Sequence, residues 1–339
     1  MLETIKREIK LSAVNVNSSY PAWAAPTTKL AVIGAGAVGS TLAYAATVEG
    51  IAADIVLYDI NKERVAAEAL DIAQGIQFTP TKAVSGSDDI EICRNADVVV
   101  VTAGAAQKPG QTRLELAEST VNLMKNLVPS LLKVAPDAIY IMVTNPVDVV
   151  TYCSLKISGL GRSQMFGSGT VLDTSRLRLL VSQATGVAPQ SIHAYIAGEH
   201  GDSEIPLWSS ATIGNVPLTQ WDKTVDGGHF DSELMDEIAH KVVRSAYTII
   251  EGKGSTNYAI GLAVTSILRA IMRDQHRVQS ISTLLEDWHG ISDVCLAVPT
   301  VTSRTGAGKV LCPPLTLKER DGMTASAERL RQVARDLGF

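Results

Sequence analysis

The chain has 339 residues and a formal net charge of −5, with 46% hydrophobic and 19% charged residues. That is about two ordinary domains' worth of sequence with ample material for a core. A mildly acidic chain with only 5% aromatic residues offers neither a basic face nor a base-stacking surface, which argues against a nucleic-acid partner.

Residues 1–28 precede the regular pattern as an N-terminal arm. Residues 5–10 have the composition for one or two helical turns, and residues 15–28 are rich in Ser, Pro and Ala. A disordered tail and an arm packed on a neighbouring subunit both fit this stretch. Residues 30–48 carry no charge and are long enough to resemble a membrane span. However, Gly34, Gly36 and Gly39 punctuate the stretch near its start, so a buried strand, a glycine turn and a packed helix account for it better. No apolar leader precedes it, and a cytoplasmic protein with no membrane contact is expected.

From Lys29 onward, short apolar runs alternate with helical spacing. Residues 29–34, 54–59, 96–102 and 138–143 have the near-continuous β-branched character of strands covered on both faces. Residues 113–134 place Val121, Met124, Leu127, Val128, Leu131 and Leu132 on one helical face, and Pro129 predicts a kink or break near Val128. Strand–helix alternation of this kind predicts a doubly wound parallel sheet. Beyond residue 150 the pattern changes. Helices are expected over 231–251 and 254–272, the latter entered at Ser255 or Thr256. Strands of a smaller mixed sheet are expected over 291–301 and 308–312, with a turn at 304–306, and a last helix over 315–337. The fold class is therefore α/β, a doubly wound sheet at 29–168 followed by a mixed α+β domain at 169–339. Cys93, Cys153, Cys295 and Cys312 form no CxxC pair and have no histidine at zinc spacing. They read as reduced thiols, and no metal is expected.

Gly34-Ala35-Gly36-Ala37-Val38-Gly39 is a GxGxxG that follows a strand and opens a helix, and Asp59 ends the next strand. In that setting the glycines serve a tight turn, a close backbone approach to a pyrophosphate and helix–strand packing, as in a Rossmann-type dinucleotide site. Backbone N–H groups at the helix start face the phosphates. The Asp59 charge repels a 2′-phosphate and accepts ribose hydroxyls, favouring NAD over NADP. A packing glycine cluster with no ligand is the plain alternative.

His200 lies in a glycine-flanked segment, Gly198-Glu199-His200-Gly201-Asp202. A histidine titrates near working pH and suits proton donation to a ketone, and a carboxylate partner would fix its tautomer. Sequence alone does not supply that partner. Three further motifs accompany this one: Gln107-Lys108-Pro109-Gly110-Gln111-Thr112-Arg113, Asn145-Pro146-Val147-Asp148, and Gly169-Thr170-Val171-Leu172-Asp173-Thr174-Ser175-Arg176. With these four motifs in register behind the glycine fingerprint, the chain resembles the L-lactate/L-malate dehydrogenase family from about Lys29 to the C-terminus.

That resemblance implies hydride transfer between NADH and a 2-keto acid. His200 is implied as proton donor and acceptor, with Asp173 orienting it. Arg176 would grip the substrate carboxylate, since a guanidinium offers paired donors to a planar acid. Arg113 would polarise the reacting carbonyl, and Asn145 would hold either the substrate oxygen or the nicotinamide region. NAD contacts are assigned to Gly34, Gly36, Ala37, Val38, Gly39, Asp59, Thr102, Ala103, Gly104 and Asn145. Pro109-Gly110 lies inside the 104–113 segment, which fits a loop that closes over substrate.

Gln107 decides the substrate. In malate-type relatives an arginine at that motif position pairs with a second carboxylate, whereas glutamine is neutral and would leave that charge desolvated and unpaired. Thr256 matches the family position that walls a small side-chain pocket. Together they imply pyruvate and L-lactate, the last step of anaerobic glycolysis, ahead of a bulkier 2-keto acid and then of malate. Ala106 departs from the Asn or Arg of many relatives. Arg178 and His193 match the positions at which similar bacterial enzymes bind fructose 1,6-bisphosphate across a subunit interface, and a homotetramer is implied on the same ground. Two rivals remain: a non-enzymatic NAD-binding module, and an NAD-dependent glycosidase with a cysteine-held metal. The joint presence of His200, Asp173, Arg176 and Arg113 disfavours the first. The lack of a cysteine near Asp173 disfavours the second.

Overall fold

The computed structural model describes residues 28–104, 113–224 and 230–339, apart from the side chains of Arg113 and Thr224. The 1–27 arm and the 105–112 segment that carries Gln107 lie outside the described residues.

Six parallel strands form the first half: β1 (Lys29–Ile33), β2 (Asp54–Tyr58), β3 (Ala83–Ser87), β4 (Val98–Val101), β5 (Ile139–Met142) and β6 (Met165–Gly167). They lie in the order 3-2-1-4-5-6, the doubly wound arrangement whose strand order reverses between β1 and β4. Helices α1 (Ala37–Glu49), α2 (Lys62–Gln74), α3 (Arg113–Val134) and α4 (Val147–Ser158) connect them. The uncharged 30–48 stretch is β1, the glycine turn and α1, and no described helix is long and apolar enough to cross a membrane.

α5 (Val171–Thr185) opens the second half. The short strands β7 (Ile192–His193) to β11 (Val216–Pro217) form two small antiparallel sheets: β8 (Ile196–Ala197) pairs with β9 (Ile205–Pro206), and β10 (Thr212–Ile213) pairs with β7 and β11. Then come α6 (Trp221–Thr224), α7 (Ser232–Lys253), α8 (Tyr258–Met272), β12 (Arg277–Leu284), β13 (Cys295–Ser303), β14 (Gly306–Val310) and α9 (Leu317–Asp336).

The expectation of a separate smaller sheet fails here. β12, β13 and β14 pair antiparallel and continue the main sheet through Ser282 opposite Gly167, giving nine strands in one sheet. β12 escapes a search for apolar runs because its buried residues include Gln279, Ser280, Ser282 and Thr283. Three of these are satisfied by hydrogen bonds: Gln279 Oε1 accepts from Thr302, Ser280 donates to Ile196 O, and Ser282 donates to Asp148. β3, the outer strand, is equally silent because it is polar and half exposed. Of the kink or break expected near Val128, the break is absent, since α3 runs through Pro129 for 22 residues. Val121 and Met124 before the proline and Val128 and Leu131 around it are all buried in one core. That packing on both sides outweighs the roughly 3 kcal/mol that an internal proline costs a helix. α8 begins later than expected, at Tyr258, with Asn257 at its cap.

Cys93, Cys153 and Cys295 are buried free thiols, and Cys312 is an exposed one. Burial pushes the Cys93 and Cys153 thiols up to about 12, so they are inert hydrophobes.

Candidate active site

The glycine turn sits at the carboxyl end of β1, beside the point where strand order reverses. Gly34 has φ +101°, and a Cβ there would lie 2.8 Å from Ala103 N. A Cβ on Gly39 would lie 1.8 Å from Gly34 O, so only glycine lets α1 approach the strand. Gly36 has open space where a Cβ would be and caps α1 with no side-chain hydrogen bond, which leaves the first-turn N–H groups free to receive an anion. Thr102 braces the turn by donating to Ile33 O and Gly34 O. Asp59 accepts from Ala35 N at 2.8 Å and Asn61 N at 2.9 Å, which fixes its carboxylate at the rim.

Two cavities open from this turn. One, of about 470 Å³, is lined by Gly34, Asp59, Ala103 and apolar side chains including Ile60 and Leu127. The other, of about 530 Å³, is lined by Val38, Asn145, Arg176, His200 and Thr256. Gly36, Arg64, Thr102 and Gly104 border both. An elongated ligand with an apolar-faced base at one end and a diphosphate in the middle fits this cleft: the glycine cradle and the uncapped α1 N-terminus sit at the junction, and Asp59 suits a ribose hydroxyl.

At the far end, α5 carries Asp173 and Arg176, two of the side chains singled out from sequence, one turn apart. Asp173 is 1% exposed. It accepts from the His200 ring at Nδ1 (2.6 Å) through Oδ2 and from Arg176 Nη1 (2.8 Å) through Oδ1. The turn before α5 fixes where the helix begins. Gly169 (φ +53°) packs so closely on β12 that a Cβ would lie 2.5 Å from Ser282 N, while Thr170 donates to Ile196 O and Ser280 Oγ. The Asp173 charge, working against burial, raises His200 to about 9. Burial pushes the Asp173 carboxyl up, but His200 and Arg176 outweigh it and hold it below the usual carboxylate range. With Nδ1 engaged, Nε2 is the imidazole nitrogen left for a substrate.

The backbone of His200 is held by a residue to which the motif reading gave no role. Asp148, buried at the start of α4, accepts from His200 N at 2.8 Å and from Ser282 Oγ at 2.5 Å. Burial pushes it up to about 6 against both hydrogen bonds. The available signal was a carboxylate in a run, 147–155, that is otherwise uncharged. Glu204, four residues beyond His200, was also missed; burial, then the Asp173 charge, push it up to about 8.

Of the residues singled out from sequence, Gly36, Val38, Thr102, Gly104, Asn145, Arg176, Thr256 and His200 converge on the second cavity. Ala37 is exposed at the first position of α1. Gln107 and the side chain of Arg113 lie outside the described residues, although α3 begins at Arg113 and Leu116, one turn later, lines the cavity. Arg178 and His193 stand elsewhere. Arg178 donates to Ala194 O at 3.0 Å, stacks on Tyr195 and borders a separate cavity of about 410 Å³; His193 is exposed on β7.

Residues 28–167 match the lactate/malate dehydrogenase NAD-binding domain, and residues 170–337 match the alpha/beta C-terminal domain of the same family. The chain belongs to the lactate/malate dehydrogenase family. Within that family it is 54% identical over 312 residues to an L-lactate dehydrogenase of Bifidobacterium animalis subsp. lactis, covering 92% of this chain and 98% of that one. It is 44% identical over 306 residues to an L-lactate dehydrogenase of a Synechococcus species, covering 90% and 98%. Among solved structures it resembles the minor L-lactate dehydrogenase of Enterococcus mundtii (TM-score 0.87, 34% identity, 91% and 98% covered). It also resembles a lactate dehydrogenase from a Medee basin deep-sea metagenome library (TM-score 0.88, 36% identity, 93% and 100% covered).

Proposed function

We propose that this chain is an NAD-dependent L-lactate dehydrogenase that reduces pyruvate. The observation that carries the reading is that the His200–Asp173 pair and Arg176 meet on a cavity continuous with the glycine cleft. NADH, when bound, supplies the hydride. Arg176 receives the carboxylate, held by its bond to Asp173 so that its remaining N–H donors are presented to an acid. His200 passes the proton from Nε2 to the carbonyl oxygen as that oxygen gains charge, and Asp173 stabilises the imidazolium until then. Asn145, at the same cavity wall, supplies an amide for the oxygen or for the nicotinamide end. We assign Arg113 to polarising the carbonyl and neutral Gln107, with Thr256, to preferring a methyl group over a second carboxylate. Loss of NADH absorbance with a panel of 2-keto acids tests this. Pyruvate should be turned over fastest, and a faster rate with oxaloacetate would replace lactate by malate.

Fructose 1,6-bisphosphate is the proposed activator, through Arg178 and His193. Arg178 lies two residues beyond Arg176 on α5 and borders a separate cavity, so an anion held there would have to act on Arg176 through the helix itself. The same panel with and without the bisphosphate tests it; an unchanged KM for pyruvate and unchanged assembly count against it. For the proposed homotetramer, a subunit contact is supported by the exposed apolar residues Tyr44 and Val48 on α1 and Tyr258 and Leu262 on α8, two helices joined by Asn257 donating to Thr41. A cytoplasmic place in anaerobic glycolysis follows from the proposed reaction.

A further inference from the structure

The segment that carries His200 brings a second acid to the imidazole. Glu204 N donates to Gly201 O at 3.3 Å, so the chain turns and returns the Glu204 carboxyl toward the histidine. The ligand-type atoms of Asp173, His200 and Glu204 all lie within 4.8 Å of one another. Glu204 does not line the substrate cavity, whereas His200 and Arg176 do. It thus adjoins the imidazole without lining that cavity. Its Oε1 is buried and has no hydrogen-bond partner among the described residues. A buried ionised oxygen in that position is costly, and two carboxylates at one imidazole repel each other, so a proton on one of them relieves both penalties. Asp173 is the wrong holder, since both of its oxygens already accept from cationic donors.

We propose that Glu204 is a positioning residue that stores a proton beside the His200–Asp173 pair, and that losing this proton weakens pyruvate binding. With Glu204 neutral, the His200–Asp173 pair carries no net charge and the positive charge of Arg176 is available to a carboxylate. With Glu204 ionised, an extra negative charge stands next to the histidine and acts on Arg176. It holds the imidazolium proton more firmly and opposes an incoming anion. Among the described residues, the other acids near it are held by partners of their own. Asp202, in its own loop, is tied to Tyr247 of α7, and Asp148 of α4 is committed to His200 N and Ser282. Glu199 faces Ser203 and Arg329 of α9.

This inference rests on the pyruvate-reducing reading, and the wild-type enzyme tests that reading by itself. If wild type does not consume NADH with pyruvate, the functional reading fails. If it does, KM for pyruvate is measured from about pH 5.5 to 9.5 for wild type and for Glu204→Gln, which keeps the shape and fixes the neutral state. The ratio of wild-type KM to variant KM should climb with pH by on the order of tenfold, the size expected when one nearby charge changes a binding equilibrium by about 1.4 kcal/mol. A packing role would move KM by the same factor at every pH, so a flat ratio overturns the proposal. Should Glu204→Gln fail to fold, Glu204→Asp carries the test. Drawing the acid back by one methylene should move the midpoint of the KM rise, and an unmoved midpoint overturns the proposal.

Discussion

Replacing Asp173 by Asn removes one oxygen and one charge from a carboxylate that serves two donors. Asp173 accepts from the His200 ring through Oδ2 and from Arg176 through Oδ1. An amide offers a single acceptor, so either the imidazole or the guanidinium faces an N–H group instead. A lost buried hydrogen bond to a charged group is worth roughly 1.5–3 kcal/mol, about ten- to a hundredfold in an equilibrium. The charge acts separately. The Asp173 charge is the first cause of the rise of His200 from 6.5 to about 9. Without it His200 returns toward 6.5, and at pH 7.5 only about a tenth of the enzyme retains the proton that the proposed mechanism passes to the ketone. Together these effects predict a loss of kcat/KM for pyruvate on the order of a hundred- to a thousandfold at pH 7.5, with about tenfold of it recovered near pH 5.5. The sign follows from the direction of proton flow. On the proposed mechanism pyruvate reduction needs protonated His200, so wild-type kcat/KM should fall as pH rises through about 9, beyond the smaller loss that a Glu204-dependent rise in KM brings at lower pH, and the variant's should fall from near 6.5. Steady-state rates of NADH consumption across pH measure both. An Asp173→Asn enzyme whose alkaline limb still falls near pH 9 would refute the electrostatic account.

Lactate oxidation should show the mirror profile, rising as pH passes about 9, because it starts from neutral His200; initial rates with NAD and L-lactate check this. Arg176→Lys keeps the charge but loses the paired donors, and should raise KM for pyruvate by roughly a hundredfold while leaving NADH binding, read by fluorescence titration, within a few-fold. Gly39→Ala puts a methyl group 1.8 Å from Gly34 O, so α1 must retreat from the turn and NADH affinity should drop at least tenfold; the same titration measures it, and unchanged affinity contradicts the cleft assignment. Gln107→Arg supplies a cation for a second carboxylate and should shift the ratio of kcat/KM values toward oxaloacetate by about a hundredfold.

The site was legible where chemistry is written in contiguous residues. Gly34 and Gly39 announced the turn because no residue with a Cβ fits the strand–helix approach found there. The His200 and Asp173–Arg176 motifs could be matched one by one, but the bonds among them join positions 27 residues apart. Asp148, 52 residues from His200, has no local mark of its task beyond a charge in an apolar helix. Glu204 is close in sequence, yet only the turn at Gly201 shows that it comes back to the imidazole.

Apolar periodicity by itself determined β1, β2, β4 and β5 and the existence of the long helices, because their buried faces are built from side chains that have nowhere else to go. It did not determine β3, β12 or the passage of α3 through Pro129. An edge strand needs no apolar face, a polar strand is stabilised when Asp148, Ile196 and Thr302 arrive as partners, and a proline is tolerated when the core holds the helix on both sides. Local sequence thus encodes which surfaces must leave water, whereas burying polar and charged groups requires partners that only the folded chain brings within hydrogen-bond reach.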